Sequence, residues 1–232
     1  MTVDELNRLS RDMETWSPQE ILSWAIGEFG NKLAFATAFG IEGTVIMAMM
    51  SQIPGGENVY LFNIDTGYQF RETLELRDKV QEKLGLTVHL VSANESVADM
   101  EARFGGPIYG ENPDQCCAIR KVAPLKEAIA GYGAWISAIR REQSPTRANA
   151  PIVGWDKKFE LVKINPLANW TRKQVWAYAL EHDVPYNALY DQNYTSIGCW
   201  PCTIAVGAGD DERAGRWAGK VKTECGLHVG AH

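Results

Sequence analysis

The chain has no excess of positive charge: 23 lysines and arginines face 29 aspartates and glutamates, giving a formal net charge of -6. That excludes general nucleic-acid binding through a basic surface but leaves room for a local anion site. A secretory opening is missing too, since Met1 is followed by Asp4, Glu5 and Asp12 instead of a basic stretch and an apolar core. The apolar runs are too short and too interrupted to span a bilayer, and neither an internal repeat nor a low-complexity stretch occurs. The expectation is a soluble cytoplasmic protein with no nucleic-acid or membrane partner, where thiols stay reduced.

What is present reads as alternating helices and strands. Ser17-Pro18-Gln19-Glu20 is a capping box with proline at the first helical position, predicting a helix over 18–29 that Gly30 ends. Strands are expected at 32–37, 59–64, 87–91 and 134–139, with helices reaching Met50 and over 70–84, the latter stopped by Gly85. This order implies an α/β fold, a parallel sheet with helices on both faces, whose ligand binds beyond the carboxyl ends of the strands. The 232 residues suit one such domain over 1–208, followed by a flexible glycine-bearing tail over 209–232.

Three loops leave those strand ends. Residues 37–44 form a turn into a helix start, where backbone amides near Gly40 favour an anion, although neither phosphate-loop nor dinucleotide-binding glycine spacing occurs there. Asp65-Thr66-Gly67 offers a carboxylate for a ribose hydroxyl or a metal, or an ordinary loop start. The third loop, 140–147, holds Arg140, Arg141 and Arg147 within eight residues, and converging guanidinium groups grip phosphate or sulfate.

Five cysteines divide four plus one: Cys116-Cys117, the run Cys199-Trp200-Pro201-Cys202, and Cys225 alone. Four thiolates can hold zinc or an iron–sulfur cluster. The adjacent pair Cys116-Cys117 is awkward for a zinc knuckle, so the spacing favours a cluster. Arg120 and Lys121, just beyond, would offset its negative charge. Two disulfides plus a free thiol are the alternative in an oxidising compartment. Cys225 has no partner left, and Lys222 and His228 favour its thiolate while Glu224 opposes it.

Together these motifs resemble the assimilatory adenylylsulfate (APS) reductases, relatives of the 3′-phosphoadenylylsulfate (PAPS) reductases. Cys116-Cys117 with Arg120-Lys121, the loop 140–147, Cys199–Cys202 and Glu224-Cys225-Gly226-Leu227-His228 carry the resemblance, over about 33–228. It implies a Rossmann-like adenine-nucleotide fold related to the PP-loop ATP pyrophosphatases, and one 4Fe–4S cluster per chain on Cys116, Cys117, Cys199 and Cys202. It also implies a nucleophile at Cys225, which takes the sulfo group from adenosine 5′-phosphosulfate and releases AMP. Thioredoxin or a glutaredoxin-like dithiol, expected from another protein, then frees sulfite. Arg140, Arg141, Arg147, Arg213 and Arg216 are expected to clamp the anion, with Lys121 between cluster and substrate; Gly40, Asp65, Trp217 and His228 complete the substrate contacts. A homo-oligomer is compatible with all of this.

Competing functions are PAPS or dual reduction, a PP-loop ATP-dependent adenylating or thiolating enzyme, and a non-catalytic metal module. Residues 37–44 lack the Ser-Gly-Gly-x-Asp-Ser loop of the second, and the third has no use for Cys225 or the arginine loop.

Overall fold

The computed structural model describes residues 1–207 and 209–227. Six strands form one sheet in the order β3-β2-β1-β4-β6-β5: β1 (Leu33–Thr37), β2 (Tyr60–Asp65), β3 (His89–Ser92), β4 (Ala134–Ile136), β5 (Val153–Asp156) and β6 (Leu161–Ile164). All neighbours are parallel except β5, which pairs antiparallel with β6 at the sheet edge. The expected parallel sheet is therefore a mixed one, closed at one edge by a β5–β6 hairpin that sequence reading did not anticipate.

The strands alternate their side chains between two cores. Leu33, Phe35, Leu61, Ala134, Ile136, Val162 and Ile164 point to one, while Ala34, Phe62, Ile64, Trp135 and Leu161 point to the other. Both faces being buried explains why these strands read as nearly continuous apolar runs. The first core is covered by α1 (Val3–Asp12), α2 (Pro18–Phe29), α3 (Ile41–Met50), α4 (Arg71–Leu84) and α8 (Arg172–Glu181); the second takes Leu125 from α7 (Ala123–Ala128). A smaller cluster joins Tyr68, Ile108, Cys116 and Cys199 to Met100 of α5 (Val97–Phe104).

The capping box forms as read: Ser17 Oγ accepts from the Glu20 amide and the Glu20 carboxylate accepts from the Ser17 amide. Gly85 caps α4 in the left-handed conformation, φ 64°, which glycine adopts without strain. The strand order reverses between β1 and β4, so the loops after them diverge and open a crevice at the carboxyl ends. Among the described residues no helix is long and apolar enough to cross a membrane.

Candidate functional site

A cavity of about 1210 Å³, counting its open mouth, fills that crevice. Its wall brings together Lys121, Arg147, Arg213, Arg216 and Cys225, five residues drawn from four separate stretches of chain. It also includes Gly40, at the start of α3.

Lys121 owes its position to a distorted helix. Asn112 accepts from the Gln115 amide and Pro113 occupies the first position, starting α6 (Pro113–Cys117). The helix then widens into a π turn over Ala118–Val122 and continues into α7 through Pro124. Proline cannot donate the helical hydrogen bond, and a widened turn just before it accommodates the loss. The bulge directs Arg120 to the Thr66 and Glu95 carbonyls, at 2.8 and 2.6 Å, and leaves Lys121 lining both the main cavity and a smaller one beside it.

The smaller cavity is lined by Cys116, Cys117, Cys199 and Cys202, with Tyr68 and Trp217. A tight turn presents the second pair: the Cys202 amide donates to the Cys199 carbonyl, Trp200 N–H to Tyr68 and Trp217 N–H to Cys202. Burial first, then the neighbouring thiols, push Cys116 up to about 12. Burial raises Cys117 and Cys202 as well. Thiols crowded in this way ionise together only around a cationic centre, so the donor set suits a thiophilic metal centre. No three His, Cys, Asp or Glu side chains among the described residues are arranged around a single ion. Four thiols lining one cavity are a donor set that fits zinc or an iron–sulfur cluster.

Cys225 faces the main cavity, half-buried. Burial alone would raise its thiol, but Lys121, the Leu227 amide and Arg216 outweigh burial and the opposing Glu224, and the net shift is downward. A lowered thiol holds a larger share of thiolate at a given pH, and the thiolate is the nucleophilic form. The described part of the tail is stitched down around it. Lys158 donates to the Gly226 carbonyl at 2.6 Å, Lys222 pairs with Asp114, and Glu224 accepts from Arg147 Nε and Nη2 at 2.8 Å each and from Arg213 at 3.1 Å.

The three loop arginines have different fates. Arg147 alone reaches the cavity. Arg140 is completely buried and bonded to Glu42 at 2.9 Å, Glu142 at 2.9 Å and Glu212 at 2.6 Å; three carboxylates hold it inside the wall, not on its surface. Arg141 turns away to Glu14 and the Ala150 carbonyl. Of the five arginines expected to clamp the anion, Arg147, Arg213 and Arg216 line the cavity, whereas Arg140 and Arg141 do not. Burial and the neighbouring Arg147 bring Arg213 down to about 10, still protonated at neutral pH, which marks a crowd of cations. The buried Nε atoms of Arg213 and Arg216 have no hydrogen-bond partner among the described residues. Trp217 is buried beneath the Arg216 guanidinium, 4.4 Å from its ring centroid, and lines the cysteine cavity instead of the main one.

The first loop does not offer the open anion site expected of it. The Tyr190 hydroxyl accepts from the Ile41 amide at 3.0 Å, and Glu42 places a carboxylate in the first turn of α3. Asp65 is absent from the cavity wall; its carboxylate accepts from the Gly67 amide at 2.9 Å and closes a turn in which Gly67 has φ +74°. His228 lies outside the described residues. Sequence reading missed Glu42, Glu212 and Tyr190, whose roles depend on contacts far along the chain.

Residues 32–205 match the family model described as the phosphoadenosine phosphosulfate reductase domain. The chain is 47% identical to a phosphoadenosine 5′-phosphosulfate reductase of Gloeobacter violaceus, over 99% of this chain and 96% of that one. It is 45% identical to adenosine 5′-phosphosulfate reductase 2 of Bacillus subtilis, over 90% and 88% of the two chains. A crystal structure of phosphoadenylyl-sulfate reductase from Candida auris, in a phosphate complex, superposes with a TM-score of 0.78 at 34% identity, covering 88% of this chain and 98% of that one. An FMN adenylyltransferase of Candida glabrata shares the fold alone, with a TM-score of 0.59 at 13% identity over 81% and 62% of the two chains.

Proposed function

The chain belongs to the phosphoadenosine phosphosulfate reductase family, and from that premise we propose that it reduces adenosine 5′-phosphosulfate to sulfite and AMP, with Cys225 as nucleophile. The observation that carries the proposal is Cys225 sharing one cavity wall with Lys121, Arg147, Arg213 and Arg216. The substrate is a phosphosulfate anhydride, so its reactive end is an anion with acceptors only, and four cations around a lowered thiol suit it.

The Cys225 thiolate attacks the sulfur of the sulfo group. A sulfur–sulfur bond forms, the bond from that sulfur to the bridging oxygen breaks, and AMP leaves with the electron pair on its phosphate. Arg147, Arg213, Arg216 and Lys121 bind and orient the anion and stabilise charge as it builds on the leaving phosphate. The dithiol of a thioredoxin or glutaredoxin-like protein then attacks the Cys225 sulfur, expels sulfite and leaves a mixed disulfide, which its second thiol resolves. Cys116, Cys117, Cys199 and Cys202 would hold a 4Fe–4S cluster, which when bound supplies fixed charge beside Lys121 in support of substrate binding. Assimilatory sulfate reduction in the cytoplasm is the setting this chemistry fits.

A second reading, reduction of PAPS or of both substrates, is favoured by the Gloeobacter violaceus relative and by the Candida auris structure, both named for the phosphoadenylyl compound. Sulfite release by anaerobically purified protein with reduced thioredoxin, at matched APS and PAPS concentrations, separates the two. Turnover of APS alone supports the first reading and comparable rates support the second. Absence of sulfite from either, with iron retained, overturns both. Mass spectrometry after APS without reductant should find one added sulfo group on Cys225 and none in Cys225→Ser.

A further inference from the structure

We propose that Gln69 is a specificity-determining residue, whose side-chain carbonyl accepts a hydrogen bond from the nucleoside half of the substrate; the inference rests on the adenylylsulfate reading of the cavity. Gln69 follows β2, and its backbone is pinned by a bridge to Cys199. Gln69 lines the main cavity, as does Asn63.

Three amide groups form a relay whose direction is fixed at one end. The Thr37 carbonyl can only accept, and Asn63 Nδ2 donates to it at 2.8 Å. Asn63 Oδ1 must then receive, and Gln69 Nε2 donates to it at 2.9 Å. Neither amide can be flipped without breaking this sequence, because a carbonyl would face a carbonyl. The Gln69 Oε1 atom is therefore an acceptor by necessity. It is buried and has no hydrogen-bond partner among the described residues.

Buried acceptors are matched in working proteins, and one left without a partner at the wall of a ligand cavity selects for a donor. The phosphosulfate end carries no donor. The donors on adenosine 5′-phosphosulfate are the adenine amino group and the ribose hydroxyls, all on the nucleoside half. A site of this kind rejects an analogue that lacks the donor more strongly than an apolar site rejects one with a group added.

The experiment measures AMP binding to the anaerobically purified full chain by calorimetry, for the wild type and Gln69→Leu. Its arms add 2′-deoxy-AMP, 3′-deoxy-AMP and purine riboside 5′-monophosphate, which lacks the amino group. Gln69→Leu should weaken AMP about tenfold, the size of one lost hydrogen bond to a buried acceptor. One of the three analogues should bind the wild type and the variant equally, which identifies the donor. Equal AMP affinity in the two proteins overturns the inference, as does a uniform loss across AMP and all three analogues, which would be a structural effect. Should Gln69→Leu fail to fold, wild-type affinities that vary less than twofold among the four ligands overturn it as well. AMP binding with no role for Gln69 leaves the adenylylsulfate reading standing, whereas a wild type that binds no AMP and yields no sulfite removes both.

Discussion

Replacing Gly198 by alanine should disable the site through Arg216. A Cβ on Gly198 would stand 2.5 Å from Arg216 Cζ and 3.0 Å from its Nε. Reaching the 3.4 Å of ordinary contact requires Cζ to retreat 0.9 Å. The guanidinium cannot retreat freely, because it rests over the buried Trp217 ring and donates to the Ile197 carbonyl at 3.5 Å. Gly198 is outside the left-handed region, so alanine adds no backbone strain. A misplacement of about 1 Å in a group that stabilises the transition state costs roughly 100-fold in rate, or about 2.7 kcal/mol. Single-turnover sulfite release should therefore fall about 100-fold in Gly198→Ala, with the thermal midpoint nearly unchanged. Arg216→Ala should fall by a similar factor, and the double variant should be no slower than Arg216→Ala alone, since both changes remove the same interaction. Losses that multiply in the double variant would refute the argument, as would a Gly198→Ala protein with normal rates.

Three further outcomes follow from the charge network. Arg140→Leu leaves Glu42 and Glu212 buried without their cation and should destabilise the fold by about 3–5 kcal/mol, lowering the thermal midpoint by roughly 6–20 °C; an unchanged melting curve would contradict the structural role given to this arginine. Glu224→Gln should loosen the tail by about 1–3 kcal/mol, read as lost hydrogen-exchange protection over residues 213–227. Burial raises the Glu224 carboxyl, but Arg147 and Arg213 hold it below its ordinary value of 4.5. Its contribution is therefore complete above pH 4.5 and is lost as the pH falls through the lower folded value, so the wild type should converge on Glu224→Gln in acid and not in alkali. Lys121→Ala should slow sulfite release while cluster absorbance stays intact; an unchanged rate with intact absorbance would remove Lys121 from the mechanism.

Local signals in the sequence were read well and distant ones were not. Ser17, Pro18 and Glu20 lie within one turn of each other, as do Leu84 and Gly85, so the ends of α2 and α4 follow from neighbouring residues alone. The cysteines were legible because buried thiols in pairs have few roles, and their meeting in one cavity fits the reading of them as one set. The β5–β6 hairpin was illegible: its strands are four residues long, and the turn between them places Glu160, not glycine or asparagine, at φ +57°. The arginines were the hardest. Arg140, Arg141 and Arg147 share one loop, yet apart from Glu142 their carboxylates lie 72 to 127 residues away along the chain. Nothing near them in sequence separates the guanidinium sealed in the wall from the one that reaches the cavity.

The same pairings explain how an acidic protein holds an anion site. Net charge of -6 counts every carboxylate, but the field in the cavity depends on which of them are neutralised nearby. Glu42 and Glu212 line the wall, and Arg140 behind them cancels much of their charge. Lys121 and Arg216 face the same space with no ion pair among the described residues, so the balance at the thiol is positive. Glu224 is the exception that matters, because its carboxylate is adjacent to Cys225 and opposes the thiolate. Bound on two sides by Arg147 and braced by Arg213, it has part of that opposition offset while fixing the backbone that carries the sulfur. Arg147 thus acts on the nucleophile as well as on the anion: by neutralising Glu224, it lets Lys121 and Arg216 set the charge on Cys225.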